Sequence, residues 1–442
     1  MKNFFSENVL LGSGAAEQLY SRVKALPIID YHCHLDAGMI KKDAVFSDIG
    51  QLWLGGDHYK WRAMRQCGVD EFFITGGASW HDKFLKYAEI VPRLVGNPLY
   101  YWTHMELQRI FKIALPLNAD TAEEIYRTAN EQLKTLSVQK ILKNFDVKFV
   151  ATTDDPADDL SVHGKYGDTL VAPTFRPDKL YSLDEEYLVR LAGAANMKID
   201  TLDDLLSVLD CRLDFFVSKG CRMADHGFEY FPDRYAGLEE ARQIFARRKS
   251  AAAEEKNAFF GFLLVWLSKA YARRGIAMQL HFAAKRNVNL PMFARLGADT
   301  GYDILSEPPV IENLVRYLQQ VPDEERPETL LYSLNDASLT ALASVTGAFR
   351  RVRMGAAWWF NDTVEGIRRN LSVIAEYSVL GTHPGMLTDS RSFSSYCRFD
   401  FFRRLLCDYI GSLVEKGECD MGAAEKLVEN ICYYNAKELV KL

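Results

Sequence analysis

The 442-residue sequence predicts an α/β fold, and more specifically a (β/α)8 TIM barrel, from three observations. Short apolar runs rich in β-branched residues occur eight times, each followed by polar, glycine or proline residues. Amphipathic stretches with helix-start signals separate most of these runs. The chain also exceeds the roughly 250 residues of an unadorned barrel, so we expect residues 1–442 to form one barrel domain with large insertions.

The eight apolar runs are the predicted strands of the barrel. They span residues 28–31, 147–153, 170–175, 221–224, 276–282, 330–334, 352–357 and 385–388. Strands that alternate with helices favour a parallel sheet, and eight such units favour closure into a barrel. In this fold the chemistry is built at the carboxyl ends of the strands, so the residues that follow each run are the candidate site residues.

Helices are predicted between the strands. Three pairs of residues match a capping box or its aspartate variant, namely Thr121 with Glu124, Ser182 with Glu185, and Thr201 with Asp204. The longest interval, residues 36–144 between the first and second strands, predicts a helical insertion. Residues 227–275, between the fourth and fifth strands, predict a second one.

Composition argues against several classes of protein. The net charge is −6 with acids and bases interspersed, so no basic stripe indicates a nucleic-acid partner. The longest apolar run, residues 258–267, is much shorter than the ~20 residues that a membrane-spanning helix needs. The first residues lack the apolar stretch of a signal peptide. The eight cysteines contain no C-x-x-C pair and are typical of reduced thiols, so we expect a cytoplasmic protein.

Two histidines stand at the end of the first predicted strand, in the stretch IIDYHCHLDAG. Side chains two residues apart on a strand point to the same side, so His32 and His34 can reach one point while Cys33 points away. Two converging imidazole nitrogens are half of a typical metal site. The alternative is a pair of strand-end histidines that are satisfied by local hydrogen bonds, and the spacing alone leaves both open.

Other strand ends also carry polar or charged residues. Arg176 follows the third strand, His281 lies in the fifth, and Asp389 and then Arg391 follow the eighth. The second and fourth strands are followed by Asp154 and Asp155 and by Asp225 and His226. Helix capping or a buried histidine tautomer would account for some of these residues. Three histidines and an aspartate at strands one, five and eight favour a metal site.

This constellation resembles the amidohydrolase superfamily, in which a first-strand H-x-H pair and an eighth-strand aspartate hold divalent metal. Hydrolases of that superfamily with two metals typically use a bridging lysine or glutamate on the fourth strand, and CRMAD supplies neither. The sixth-strand segment LLYSLND also lacks the histidine of those enzymes. The resemblance therefore implies one divalent metal ion, with zinc as the default and manganese or cobalt as alternatives.

Longer segments resemble the uronate isomerase (glucuronate isomerase) family over nearly the whole chain. In order, they are residues 56–69 (GDHYKWRAMRQCGV), 96–107 (GNPLYYWTHMEL), TTDDP, RPDK, 358–362 (WWFND) and 386–396 (MLTDSRSFSSY). Two departures are small: Ala283 stands where the family usually has glycine, and ADHG replaces the usual Ser-Asp-His-Ala. Neither departure removes a titratable group, so the family's chemistry is expected to persist.

The family resemblance implies interconversion of D-glucuronate with D-fructuronate and of D-galacturonate with D-tagaturonate. This reaction moves a proton between C2 and C1, which calls for a base and for stabilised enediolate oxygens. The substrate's own carboxylate calls for arginine, whose planar fork matches it. The expected partner is a small-molecule hexuronate. No membrane is expected, and a homo-oligomer stays open.

The resemblance also implies roles for the metal-site residues. His32, His34 and Asp389 would hold the metal, and His281 would be a further ligand or a hydrogen-bond donor close to it. Asp389 has a second candidate role as the general base, because eighth-strand aspartates of the superfamily commonly handle protons. The sequence does not decide between ligand, base or both.

A second set of residues is expected to bind the substrate. Arg176 and Arg391 are candidates to hold the substrate carboxylate and to polarise its oxygens. His58 and Tyr59, from the first insertion, would lie in a lid over the mouth of the barrel and relay the proton. Trp358 and Trp359 are candidates to form a wall of the sugar site. Ordinary packing is the alternative for His58, Tyr59 and Trp358.

Two other classes of function are compatible with the same residues. A one-metal hydrolase or deaminase would use the same metal ligands but would release acid or ammonia. A non-enzymatic barrel would hold no metal and bind no uronate. Activity on D-glucuronate separates all three.

Overall fold

The computed structural model describes residues 4–442, and parallel strands form its centre. The strands are β1 (Ile28–Asp30), β2 (Val147–Ala151), β3 (Gly164–Tyr166), β4 (Thr169–Ala172), β5 (Thr174–Phe175), β6 (Met223–Gly227), β7 (Ala277–Phe282), β8 (Ala284–Lys285), β9 (Ile304–Leu305), β10 (Thr329–Ser333) and β11 (Val352–Met354).

The strands form two larger sheets and one small one. The first sheet has the order β1-β2-β4-β3, in which only the short hairpin strand β3 is antiparallel. The second has the order β11-β10-β7-β6-β5 and is parallel throughout. The third pairs β8 with β9 in antiparallel fashion. The α/β class with parallel sheets is therefore confirmed.

Seven of the eight predicted strands overlap observed ones, with two differences in detail. The third prediction covers both β4 and β5, which Pro173 separates and which belong to different sheets. Proline has no backbone N–H to donate to a ladder, which accounts for the break. The fourth strand extends further than predicted, so Asp225 and His226 lie within β6 rather than after it.

The prediction of an eighth strand at residues 385–388 was wrong, since the structure assigns no strand there. The physical reason is that side-chain bonds take the place of a backbone ladder. The Thr388 backbone N–H donates to Asp30 Oδ1 (3.0 Å), and the Thr388 hydroxyl donates to the other oxygen of Asp30 (2.6 Å). Within the described residues, the sheets as paired do not close into a barrel.

Helices pack around the sheets and fill the long intervals between the strands. They are α1 (Gly14–Val23), α2 (Ala37–Lys41), α3 (Ile49–Leu54), α4 (His58–Gln66), α5 (Trp80–Ile90), α6 (Pro98–Phe111), α7 (Ala122–Leu133), α8 (Val138–Asn144), α9 (Glu185–Ala195), α10 (Leu202–Ser218), α11 (Leu238–Ala246), α12 (Ala253–Arg274), α13 (Leu290–Leu296), α14 (Val310–Gln319), α15 (Leu339–Val345), α16 (Val364–Tyr377), α17 (Cys397–Glu415), α18 (Met421–Glu429) and α19 (Asn435–Leu439). Helices α2 to α8 lie in residues 36–144, and α11 and α12 lie in residues 227–275.

One of the three predicted capping boxes forms. Thr201 and Asp204 cap each other's backbone at the start of α10. Thr121 precedes α7, but its hydroxyl donates to the Pro116 carbonyl and makes no side-chain cap. Helix α9 starts after Asp184 instead of Ser182, because residues 178–182 form a short 3-10 turn.

Apolar side chains of the strands alternate between two buried clusters. The larger cluster includes Ile28 and Val147 and continues into the helices. The smaller one includes Ile29, Met223 and Leu330, which come from strands of both large sheets. This alternation is the period-two pattern of strands that are buried on both faces.

The longest apolar run, residues 258–267, lies in α12 and is mostly buried in the larger cluster. None of the helices in residues 4–442 combines the length and the apolar character needed to cross a membrane.

Candidate active site

A cavity of about 650 Å³ opens at the carboxyl ends of the parallel strands. Its lining includes eight residues predicted from the sequence, namely His32, His34, His58, Arg176, His281, Trp358, Asp389 and Arg391. A larger cavity of about 710 Å³ is lined by Ile28 and Asp146, which lie at the opposite, amino ends of β1 and β2. We take the smaller cavity as the candidate active site because it contains the titratable cluster.

His32, His34 and Asp389 form the first cluster of metal-ligand type. The Nε2 atoms of His32 and His34 each lie 3.2 Å from Asp389 Oδ1. The ligand atoms of the three residues all lie within 4.8 Å of one another. The histidines follow β1, and their rings stand at 82° to each other. The H-x-H pair and the aspartate after residues 385–388 therefore meet, as the sequence predicts.

The backbone and an indole fix Asp389. Its φ of 45° is left-handed, which bends the chain away from an extended path. Its N–H donates to the His32 carbonyl (3.1 Å), and Trp358 Nε1 donates to Asp389 Oδ2 (2.9 Å). Burial alone would raise the pKa of Asp389, but bonding from His32 and His34 holds it well below its usual value. The group is therefore a carboxylate.

His281 belongs to a second cluster, with Asp225 and His32. His281 Nδ1 donates to Asp225 Oδ1 over 2.7 Å, and Asp225 is fully buried. Burial lowers the pKa of His281 to about 4, so its ring is neutral near pH 7 and its Nε2 carries a lone pair. Within residues 4–442, that buried Nε2 has no hydrogen-bond partner.

This orphaned nitrogen fits a metal ligand. A neutral histidine whose other ring nitrogen donates to a carboxylate is the usual arrangement for a metal-bound imidazole. His32 Nδ1 is likewise buried without a hydrogen-bond partner in the described residues, so local hydrogen bonding does not fully account for the H-x-H pair. The donor set of imidazole nitrogens and carboxylates suits zinc and related divalent ions.

Both predicted arginines lie in the cavity, with different partners. Arg176 pairs with buried Asp225 (Nη1 to Oδ2, 2.9 Å) and with Asp178 (Nε to Oδ2, 2.8 Å). Burial raises the pKa of Asp225, but Arg176 and the neighbouring histidines bring it well below its usual value. Arg391 pairs instead with Asp299 (Nη2 to Oδ2, 3.0 Å).

His58 and Tyr59 start helix α4, which Asp57 caps through the backbone N–H groups of residues 59 and 60. Their rings stack 5.0 Å apart at 13°. His58 lines the candidate active site, whereas Tyr59 lines a neighbouring cavity of about 220 Å³ that His58 shares. Burial and the Arg391 charge lower the pKa of His58 to about 4. His58 is thus neutral near pH 7.

Some sequence candidates lie in ordinary structural roles. Asp154 lies 3.3 Å from His163 Nε2, and Asp155 pairs with Lys179 (2.9 Å). His226 is fully buried, and its Nδ1 bonds the Tyr181 hydroxyl (2.6 Å) rather than a backbone carbonyl. His226 is therefore a buried histidine, as the alternative interpretation has it, whereas Asp154 and Asp155 cap no helix among the described residues.

Sequence reasoning missed several lining residues of the cavity. They are Thr153, Asp178, Lys179, Arg286, Asn287, Ala298 and Asp299. The TTDDP and RPDK segments contain Thr153, Asp178 and Lys179, so the family resemblance was a signal for those three. Residues 286–299 lie in the excursion between β8 and β9 and carry no distinctive spacing.

The fold and the site define a class of protein: an α/β enzyme with a candidate His/Asp metal centre at the carboxyl ends of parallel strands. A model of the glucuronate isomerase family matches residues 1–440. The chain belongs to the glucuronate isomerase family and is an isomerase. The family predicted from the sequence segments is confirmed.

Individual proteins similar to this chain are uronate isomerases as well. The chain is 43% identical to a uronate isomerase of Geobacillus thermodenitrificans, over 100% of both chains. It is 42% identical to one of Caldanaerobacter subterraneus subsp. tengcongensis, over 99% of both. The crystal structure of a uronate isomerase from Thermotoga maritima matches with a TM-score of 0.96 at 33% identity, covering 99% of this chain and 100% of that one.

Proposed function

We propose that the chain interconverts D-glucuronate with D-fructuronate, and D-galacturonate with D-tagaturonate, by proton transfer between C2 and C1 through an enediolate. One observation carries this proposal. A cluster of metal-ligand type and two arginines line a single cavity, so a sugar acid can contact both at once. Enediolate stabilisation and carboxylate binding are the two requirements of the reaction.

The proposed architecture is a (β/α)8 barrel of residues 1–442, with residues 36–144 and 227–275 as helical insertions. An isolated parallel bridge between Asp154 and Phe175 supports continuity between the two large sheets. At the other edge, Asp389 N–H donates to the His32 carbonyl (3.1 Å) and His34 N–H to the Ser390 carbonyl (2.9 Å). These bonds support residues 385–390 as the neighbour of β1. In that position the segment would take the place of the eighth strand of the barrel.

The proposed cofactor is one divalent ion, zinc by default, held by His32, His34 and Asp389. Their close approach supports this set, and His281 Nε2 is the proposed additional ligand or donor beside it. When bound, the ion supplies Lewis-acid stabilisation to the oxygens of the substrate.

Asp389 is the proposed general base as well as a metal ligand. Its low pKa keeps it ionised, and its two oxygens have different neighbours. Oδ1 lies beside the two histidines, whereas Oδ2 accepts the Trp358 indole N–H. One carboxylate can therefore serve both roles through separate oxygens, with the indole orienting the oxygen that handles the proton.

The two arginines have distinct proposed tasks. Arg176 is fixed by two carboxylates, which makes it a rigid donor that polarises substrate oxygens near His281. Arg391 is partly exposed and paired with Asp299 on the surface of the cavity. It is therefore the better ligand for the substrate carboxylate.

His58 is the proposed contact from the first insertion to the substrate, and Tyr59 the proposed proton relay. Burial and the Asp389 charge raise the pKa of Tyr59 well above its usual value, so its hydroxyl keeps its proton and acts as a donor. That hydroxyl is buried and has no hydrogen-bond partner among the described residues. The Tyr59 hydroxyl is thus a free donor that feels the Asp389 charge, which supports its role as the proton relay.

Incubation with D-glucuronate and with D-galacturonate tests the function. We expect the matching ketose in each case, and we expect His34→Ala and Asp389→Asn to lower kcat by at least about 100-fold, as loss of a general base or of a metal ligand does. Circular dichroism of both variants checks that they fold. Release of ammonia or acid without ketose would reject the function, while wild-type turnover in both variants would reject the site.

A further inference from the structure

The excursion between β8 and β9, residues 286–303, covers one side of the candidate active site and is attached by few apolar contacts. Its helix α13 has no buried residue. Its apolar side chains Val288, Leu290 and Phe293 are exposed, with Leu290 at 71%. This excursion meets the body of the protein largely through polar contacts, so we expect it to be easily displaced.

Helix α4 supplies the main polar attachment. Arg62 Nη1 donates to the Asp303 carbonyl (2.8 Å), and the Arg65 guanidinium lies 4.4 Å from the Tyr302 ring centroid. On the cavity side, Arg286 lies 5.0 Å from the Trp359 ring centroid and 3.1 Å from Asp303. The excursion thus carries charged residues into the same cavity as the metal-type cluster.

Asp299 is the residue of the excursion that engages a proposed substrate ligand. Its Oδ2 lies 3.0 Å from Arg391 Nη2, its carbonyl accepts from Arg391 Nη1 (3.4 Å), and its Oδ1 lies 3.9 Å from Arg286 Nη1. The Asp299 side chain is 50% exposed and lines the cavity. The carboxylate and the backbone carbonyl of Asp299 therefore together occupy the guanidinium nitrogens that would receive a carboxylate from the substrate.

Neighbouring arginines determine the charge of the Asp299 carboxyl group. Burial raises the pKa of Asp299, but Arg391 and then Arg286 lower it below its usual value overall. Asp299 is therefore an anion at neutral pH. An anionic ligand and Asp299 cannot both hold the same face of Arg391 without close repulsion between like charges.

We propose that Asp299 competes with the substrate carboxylate for Arg391 and so weakens and tunes the affinity for uronates. The inference rests on the proposed function, in which Arg391 receives the substrate carboxylate. A uronate can displace Asp299 because its carboxylate takes over the ion pair with Arg391. A neutral sugar has no carboxylate to offer, so Arg391 adds nothing to its affinity while Asp299 remains in place. Asp299 acts here as a specificity-determining residue.

The opposite possibility is that Asp299 orients Arg391 for the substrate and stays in place. The two roles predict opposite signs for one isosteric change, Asp299→Asn, which removes the charge and keeps the shape. Competition predicts tighter binding of anionic ligands by the variant. Orientation predicts weaker binding.

The test measures binding and turnover in the full-length, metal-containing protein. We expect Asp299→Asn to lower the KM for D-glucuronate and the Kd for the non-isomerising acid D-gluconate by about two- to fivefold, the range set by partly exposed ion pairs. The inhibition constant of neutral D-glucitol should not change. Asp168→Asn, which removes an 83% exposed charge between β3 and β4 at the opposite end of the strands, is the matched control and should resemble wild type.

Each outcome separates this inference from the function on which it rests. If Asp299→Asn bound D-gluconate as weakly as wild type or more weakly, the proposed competition would be wrong. It would also be wrong if the variant bound D-glucitol more tightly by the same factor. If the wild-type protein formed no ketose but the D-gluconate result held, the function would fail and the competition would stand. If ketose formed and D-gluconate binding did not tighten, the inference alone would fail.

Discussion

Trp358 lies outside the proposed metal-ligand set but makes a direct hydrogen bond to one of its members. Its indole N–H donates to Asp389 Oδ2, the oxygen that the histidines do not contact, and its ring lies 4.7 Å from that of His281. The sequence predicted Trp358 only as a wall of the sugar site. The structure adds a hydrogen bond to the proposed base.

Trp358→Phe removes this bond and keeps an aromatic ring. A hydrogen bond to a charged group contributes about 1.5–3 kcal/mol, so we expect kcat to fall by about 10- to 100-fold. Steady-state kinetics on D-glucuronate measure the change, and metal analysis should show unaltered metal content. Trp80→Phe, on α5, is the control. A kcat within twofold of wild type would contradict the role of the indole.

We expect His383 to make the free energy of unfolding depend on pH. It is buried, its Nδ1 accepts from the Gly385 N–H (2.9 Å), and its Nε2 lies 3.3 Å from Asn370 Oδ1. Burial lowers its pKa from 6.5 to about 4. Because the folded state holds the neutral ring, the stability from this residue is complete above pH 6.5 and is lost as the pH falls towards 4.

At one pKa unit per about 1.4 kcal/mol, the free energy of unfolding should lose roughly 3 kcal/mol through His383 over that interval. His383→Asn keeps an acceptor for Gly385 but cannot titrate, so its stability should depend less steeply on pH. Urea denaturation at several pH values measures the slopes, with His81→Asn, at an exposed site on α5, as the control. Identical slopes for wild type and His383→Asn would contradict the assignment.

At the scale of elements, helix α4 is held in place by a buried ionic network. Lys60 Nζ lies 2.8 Å from Asp57 Oδ2 and 3.7 Å from Glu106 Oε1, and all three side chains are nearly inaccessible. Asp57 also caps α4 at the end that carries His58. The network therefore ties the proposed substrate contact to helix α6.

Lys60→Met would remove the cation that pairs with two buried carboxylates and would leave Arg398 as their neighbouring positive charge. Breaking a buried pair in this way costs about 3–5 kcal/mol, which denaturant unfolding would register as an equal loss of stability. The matched control is Lys86→Met, because Lys86 pairs with Glu89 over the same 2.8 Å but at the surface, where such pairs contribute about 1 kcal/mol or less. Equal effects of the two substitutions would contradict a structural role for the network.

Apolar runs predicted seven strands because a strand buried on both faces leaves a continuous signal. The strand predicted at residues 385–388 is absent because the carboxylate of Asp30, 358 residues earlier, replaces a backbone partner there. Capping boxes failed where a nearer partner was available, as Pro116 was for Thr121. Local pattern predicted the type of most elements, whereas a distant carboxylate and a nearby carbonyl changed the exceptions.

At the scale of the whole molecule, the sequence located the site but not its electrostatic partners. His32 and His34 follow β1, and His281 lies near the end of β7, so strand order predicted that these three residues meet. Asp389 joins them from residues 385–388, where the predicted strand is absent. The pairing of Asp225 with His281 and of Asp299 with Arg391 depends on long-range packing, which residue spacing does not encode. The ligand-type residues were thus predictable and their counter-charges were not.

The most direct test of the account is proton NMR of the reaction with D-glucuronate in deuterated water. Proton transfer between C2 and C1 through an enediolate predicts D-fructuronate that carries solvent deuterium at C1. Asp389→Asn should form almost none of it. Absence of ketose would contradict the function, and ketose that fully retains the substrate hydrogen at C1 would count against the enediolate and in favour of a hydride shift.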